Sequence, residues 1–165
     1  KKPDLLINAL EILNKQNVNF TCDFYGDALP KDKHYYKSLK KMVFNKKLED
    51  KTIFYPAISN YETPKIYCEH KIFVNLTPSG SFDKTILEAA ACGCVLVVTN
   101  KSLIGEIDEK MIARESAEDV AEKIKFWLNE SEENINEASL KLQKYVSENH
   151  SLDNLIEKLC IEIKK

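Results

Sequence analysis

The sequence predicts an α/β domain built on a doubly wound parallel sheet, with additional helices at its C-terminal end. Three observations carry this expectation. Short runs such as "KIFVNLT" and "CVLVVTN" are almost continuously apolar, the pattern of strands buried on both faces. Between such runs lie segments whose apolar residues recur at helical spacing. The two kinds alternate along most of the chain and give way to helix alone after residue 116, as crossover helices on a parallel sheet require.

Taken in order, "PDLLINALEIL" places Leu5, Leu6, Ala9, Leu10, Ile12 and Leu13 on one helical face, with Pro3 suited to the first turn. "VNFTCDFYGDALP" is an apolar, β-rich run ended by Gly-Asp and Pro, a strand entering a loop. "DKHYYKSLKKMVFNKKLED" reads as a helix with Tyr36, Leu39, Val43 and Phe44 inward and lysines outward. "KTIFYPAI" is a short strand, "NYETPKIYCEH" a short helix from near Asn60, and "KIFVNLT" a buried strand. The helix "TILEAAACG", the strand "CVLVVTN", a short "SLIGEI" segment and a last short strand "KMIAR" follow. Ser116 and Ser151 stand at capped helix entrances, with breaks near "NESEEN" and "NHSLDN". Neither an internal repeat nor a low-complexity linker interrupts residues 1–165, which read as a single domain.

Composition narrows the function classes. The chain has 165 residues, 44% hydrophobic and 30% charged, enough for one domain with a substantial core. With 24 basic and 26 acidic side chains the net charge is −2, so no broad positive field exists for nucleic acid, and an anionic ligand has to be held locally. The five cysteines show no paired metal spacing and read as small reduced core residues, which implies no metal site and a cytoplasmic setting. The three histidines read as surface residues. No run approaches the ~20 apolar residues of a membrane span. The Lys-rich helix over 33–47 reads as a solvated face; peripheral membrane contact through it is the weaker alternative.

The informative stretch is "TPSGSFDKTILEAAACGCVLVVTN", residues 77–100. In doubly wound sheets ligands sit outside the carboxyl ends of the strands, where loops lead into helix N-termini. Ser79, Gly80 and Ser81 let the backbone come close to a ligand, and the unpaired N–H groups of the following helix suit a phosphate. Lys84 in the first turn opposes the helix dipole by roughly 0.3–1 kcal/mol unless an anion lies nearby. Either a bound diphosphate offsets that cost, or Lys84 reaches solvent or pairs with Asp83; the sequence leaves both open. Glu88 lies four residues on, on the same face as Lys84. A carboxylate there either accepts from vicinal hydroxyls, for which a ribose is the natural partner, or serves a structural ion pair.

This stretch resembles the signature of the family-four retaining GT-B glycosyltransferases, in which a Pro-Ser loop runs into a Leu-Glu-Ala-x-Ala-Cys-Gly helix before the next strand. "KKPDLLINAL", "DFYGDALP" and "TIFYPAISNYETPKIYCEHKIFVNL" are similar to the family's flanking pieces, so the resemblance spans nearly the whole chain. It implies a Rossmann-like domain forming one half of a GT-B fold, the donor-binding half of an enzyme that moves a sugar from a UDP- or GDP-sugar to a glycan or lipid-linked acceptor. The reaction would be a hexosyl transfer with retention, using no metal and no cofactor. By the resemblance Glu88 holds the donor ribose, and Gly80, Ser81, Phe82, Asp83 and Lys84 lie along the diphosphate and sugar. Lys1 grips the phosphates, and Tyr55, Ala57 and Ile58 line the base pocket.

Two departures matter. The family's other glutamate, eight positions before Glu88, is Gly80 here, and the following Gly-Phe-Gly becomes Ser81-Phe82-Asp83. Asp83 or Ser81 is left to supply the missing sugar contact. The family's first C-domain strand and its acceptor-binding N-terminal domain have no counterpart, so this chain is expected to be inactive alone and to need that domain as partner. A non-catalytic nucleotide-binding module and a related GT-B sugar-nucleotide epimerase are the alternatives. In the 3-2-1-4-5-6 strand order the central strand would precede Lys1. "CDFYG" and "KIFVNL" are therefore expected in one parallel sheet, either around an unfilled position or closed together. Antiparallel placement, or separate sheets, would defeat the assignment.

Overall fold

The computed structural model describes residues 1–78, 83–151, 154, 156, 160, 161 and 163. Strands β1 (Cys22–Tyr25), β2 (Thr52–Tyr55), β3 (Ile72–Asn75) and β4 (Val95–Val98) alternate with helices α1 (Pro3–Lys15), α2 (Lys33–Asn45), α3 (Thr63–Cys68) and α4 (Lys84–Ala91). Helices α5 (Ala117–Asn129) and α6 (Glu132–Asn149) close the domain. Pro3 occupies the first turn of α1, with Asp4 at its positive end and Lys15 at its negative end. Leu6, Ile7, Ala9, Leu10 and Leu13 are buried where α1 packs between α5 and α2. The fully buried Ile7 lies outside the expected stripe, because helices on both flanks widen the covered face. In α2, Leu39 and Val43 point inward and Tyr36 meets Phe54 edge-on at 5.7 Å. Phe44 does not follow them, being 67% exposed.

Each strand pair is parallel. β1 runs beside β2 with Cys22 opposite Thr52 and Tyr25 opposite Tyr55, and β3 runs beside β4 with Ile72 opposite Val95. All four residues of β4 are buried, which explains the unbroken apolar run. The last expected strand, "KMIAR", is corrected: Asp108 caps a 3-10 turn over Glu109–Met111, and a single parallel bridge joins Ile112 to Val98.

The expectation of one hydrogen-bonded sheet is corrected too. β1–β2 and β3–β4 form two separate ribbons, the outcome set against the 3-2-1-4-5-6 order. The break falls where that order places its central strand. Between β1 and β3 lies a groove of about 1320 Å³, lined by both strands and by Leu6, Leu10, Leu39 and Ile124 of the helices beneath. Apolar side chains from α1, α2 and α5 thus form part of the groove lining. Across the groove His70 Nε2 meets Asp23 Oδ2 at 3.1 Å, while its Nδ1 lies 2.7 Å from the Ile66 carbonyl. His70 is thus a half-buried bridge, not the expected surface residue.

The helix termini follow their sequences. Ser116 and Ser131 accept from the Asp119 and Asn134 N–H groups, each at 3.2 Å, and Ser151 accepts from Asn154 at 3.2 Å. Gly93 ends α4 at φ +95°, a conformation that favours glycine, and a Cβ there would meet Ser139 Oγ at 3.3 Å. Ser139 and Gln143 of α6 donate to the Gly93 and Ala91 carbonyls, at 2.9 and 3.1 Å, and so anchor the end of α4. All five cysteines are free thiols. Cys94 is buried, but Cys68 and Cys160 are exposed, which corrects their reading as core residues. Among the described residues, no three His, Cys, Asp or Glu side chains gather as a metal site.

Candidate functional site

The carboxyl ends of β1 and β3 line the groove with Phe54 of β2, and so do Lys1, Ala57 and Ile58 of the sequence-predicted residues; the candidate site adjoins them at the α4 entrance, through the Lys1–Asp83 ion pair. Its centre is Asp83, the N-cap of α4. Asp83 Oδ1 accepts from the Thr85 N–H at 3.1 Å and the Thr85 hydroxyl at 2.7 Å. Oδ2 accepts from Asn75 Nδ2 at 2.9 Å and Thr77 Oγ1 at 3.3 Å, and pairs with Lys1 Nζ at 3.1 Å. Asn75 ends β3, is 2% exposed, and accepts from the Thr77 N–H at 3.0 Å. Both ends of the loop between β3 and α4 are thereby pinned. Ser79, Gly80, Ser81 and Phe82, within that loop, lie outside the described residues.

Electrostatically, burial acts to raise the Asp83 carboxyl, but hydrogen bonds from Thr85, Asn75 and Lys1 outweigh it and hold the group well below the ordinary carboxylate range. A carboxyl depressed on folding stabilises the protein above its unfolded value, near 3.9, and that contribution is lost as pH falls from there toward the folded value. Asp83→Asn should therefore flatten the acid limb of stability. Urea midpoints from pH 7 to pH 3 check this: a variant that loses stability on acidification as steeply as the parent contradicts it.

Lys84 and Glu88 behave otherwise. They share a face of α4, Nζ to Oε1 at 3.8 Å, with side chains 75% and 44% exposed. Asp83 pairs with Lys1, so of the alternatives left open for Lys84 the structure shows no Asp83 pairing but a loose i,i+4 pair with Glu88. Such an exposed pair holds its partners weakly, by about 0.3–0.5 kcal/mol, and leaves both accessible to a ligand. Tyr67 of α3 lies nearby; burial and then the charge of Glu88 push its hydroxyl up to about 12.

From the other side of the rim, Tyr55 stacks on Tyr25 with centroids 4.7 Å apart. Gly26, at φ +137°, turns the chain and donates to the Tyr55 carbonyl at 3.2 Å. The Ala57 N–H donates to Asp27 Oδ2 at 3.2 Å, and Ala57 and Ile58 line the groove together with Lys1, Tyr67 and Thr85. The structure thus joins Lys1 to Asp83 and Lys84 to Glu88, and sets Ala57 and Ile58 on the same rim. Sequence reasoning missed Asn75, Thr77, Thr85 and Asp27. For Asn75 a signal existed, since it is the lone polar residue within "IFVNL".

This arrangement offers cations and the N–H groups of α4 to an anion, with a carboxylate one turn along the same helix. The fold is similar to that of Anabaena HepE in complex with UDP and glucose: TM-score 0.85, 19% identity, over 99% of this chain and 45% of that one. It is also similar to a glycosyltransferase from Rickettsia africae (TM-score 0.83, 22% identity, 99% of this chain and 43% of that one). A third likeness is to the C-terminal domain of the group 1 glycosyl transferase LpcC from Francisella tularensis (TM-score 0.78, 21% identity, 90% of this chain and 78% of that one). This chain spans less than half of the Anabaena and Rickettsia proteins. No curated protein matches it. The likeness over almost the full chain shows the fold of a GT-B glycosyltransferase domain. The sequence matches the family described as Glycosyl transferases group 1 over residues 1–151, and the chain belongs to that family.

Proposed function

We propose that this chain is the donor-binding half of a retaining hexosyltransferase in glycan biosynthesis, passing the sugar of a UDP- or GDP-sugar to a glycan or lipid-linked acceptor. The observation that carries the reading is the α4 entrance: a helix N-terminus with Lys1 and Lys84 beside it and Glu88 one turn along the Lys84 face. Lys1 and the N–H groups of α4 meet the diphosphate, where they stabilise the charge that develops as the sugar leaves. Glu88 accepts from the ribose hydroxyls, and Tyr55, Ala57 and Ile58 border the base. In this reading Gly80, Ser81 and Phe82, outside the described residues, serve the diphosphate and sugar. Asp83, whose oxygens are taken by the protein's own donors, serves the site from behind.

The acceptor is held by a partner domain, and the groove between β1 and β3 receives the strand that leads into Lys1. Exposed free thiols at Cys68 and Cys160 fit a reducing, cytoplasmic setting. Among the described residues no helix is long and apolar enough to cross a membrane. A lipid-linked acceptor brings α2, with its lysines and exposed Phe44, near the membrane surface as a peripheral contact. Calorimetric titration of the chain with UDP, GDP, uridine and guanosine tests the reading. One diphosphate should bind at least about tenfold more tightly than its nucleoside, the gain of one or two charge-assisted contacts. Equal affinity for diphosphate and nucleoside, or no binding at all, overturns it.

A further inference from the structure

Asp83 sets a problem for a site that takes a diphosphate. Its carboxylate caps the very helix whose N–H groups would meet the phosphates, so an anion already occupies part of that field. The capping hydrogen bond does not require the charge, because Asn caps a helix about as well as Asp. What the charge adds is Lys1: the ammonium lies 3.1 Å from Asp83 Oδ2, with the carboxylate 11% exposed and the lysine side chain 63% exposed. Asp83 is fixed by Asn75, Thr77 and Thr85, none of which carries charge, so Lys1 is its only ion-pair partner among the described residues. An ammonium has three donors, and one of them spent on Asp83 leaves two for other acceptors.

We propose that Asp83 is a positioning residue that tethers the Lys1 ammonium at the α4 entrance, and that Lys1 in turn masks the Asp83 charge from an incoming diphosphate. The inference rests on the nucleotide-sugar reading above and deepens it. The two side chains act as one unit. Without Lys1, a fixed carboxylate faces the phosphates; without Asp83, a long side chain has to be ordered by the ligand, at a cost in rotamer freedom. The low carboxyl range of Asp83 keeps its carboxylate ionised at neutral pH.

The test is a double-mutant cycle on the 165-residue chain, with Lys1→Ala, Asp83→Asn and the double variant titrated against UDP, GDP, uridine and guanosine. Asp83→Asn keeps the cap, and circular dichroism and melting curves verify the fold. Lys1→Ala should weaken the preferred diphosphate roughly tenfold more in the parent than in the Asp83→Asn background, the coupling expected of contacting charges. Nucleoside affinity should change less than about twofold in every variant, since the coupled pair serves only the phosphates. Lys1→Arg should restore most of the loss, as it keeps the charge and the reach. Equal losses in both backgrounds overturn the proposal, as does a parallel fall in nucleoside affinity, which marks a purely structural effect. If the parent binds no diphosphate, this proposal and the functional reading fall together. If Glu88→Gln weakens nucleotide binding while Lys1 and Asp83 prove independent, the tether alone falls.

Discussion

Given a sugar nucleotide and an acceptor, the 165 residues alone should transfer no sugar at a measurable rate, and turnover should return when the acceptor-binding domain is joined to them. On the proposed reading the rim serves the donor alone, and the partner domain orients the attacking hydroxyl. Orientation of two reactants corresponds to effective molarities of about 10⁵–10⁸ M, so its loss should cost at least about 10³-fold in rate. A labelled-sugar transfer assay, comparing the chain alone with the chain joined to its partner domain, gives the answer. Robust transfer by the chain alone would show that the two-domain reading is wrong.

A second large effect is expected in stability. β1 and β3 each have one hydrogen-bonded neighbour among the described residues, and their facing edges border the apolar groove. Unpaired edges next to apolar surface are a liability that a strand would remove. A five-residue Val/Ile run placed ahead of Lys1 would bury about 1.5–3 kcal/mol of apolar side chain per residue against an ordering cost of about 1–2 kcal/mol each. The net gain is of order 3 kcal/mol, or about 6–12 °C in Tm for a chain of this size. The extended chain should also show slowed amide exchange at Cys22–Tyr25 and Ile72–Asn75. A Gly/Ser extension of equal length should do neither. If both extensions behave alike, the groove is not a strand position.

The elements were legible because their signals are local. β4 is buried along its whole length and reads as such in "CVLVVTN"; Pro3, Ser116 and Gly93 punctuate helices by chemistry that needs no tertiary knowledge. What escaped depends on neighbours far along the chain. Ile7 is fully buried off the expected stripe in a helix that packs against both α5 and α2, and Phe44 in the last turn of α2 is 67% exposed. His70 looked like a surface residue until the fold set it against Asp23, 47 positions away. The split sheet could not be read from strand content, since pairing is a relation between segments.

The site shows the same division. Lys84 and Glu88 share a helix face, which spacing alone dictates, and the structure keeps them there. The role of Asp83 could not be fixed from spacing. As a sequence feature it stood equally well for a sugar contact or a partner of Lys84; only the arrival of Asn75 and Thr77 from β3 and Lys1 from before α1 shows its carboxylate saturated from within.

The central claim is that Glu88 holds a ribose, and one cycle tests it most directly: the parent and Glu88→Gln, each titrated with the preferred nucleoside diphosphate and with its 2′,3′-dideoxy form. Both residues are good helix formers, so the substitution should leave α4 intact. It should weaken diphosphate binding by about 1.5–3 kcal/mol, the size of a hydrogen bond to a charged group. The dideoxy ligand should lose a similar amount against the parent and little more against Glu88→Gln, because mutation and missing hydroxyls remove the same contact. Fully additive losses, or unchanged nucleotide affinity in a folded Glu88→Gln chain, would contradict the assignment and leave Glu88 a structural acid.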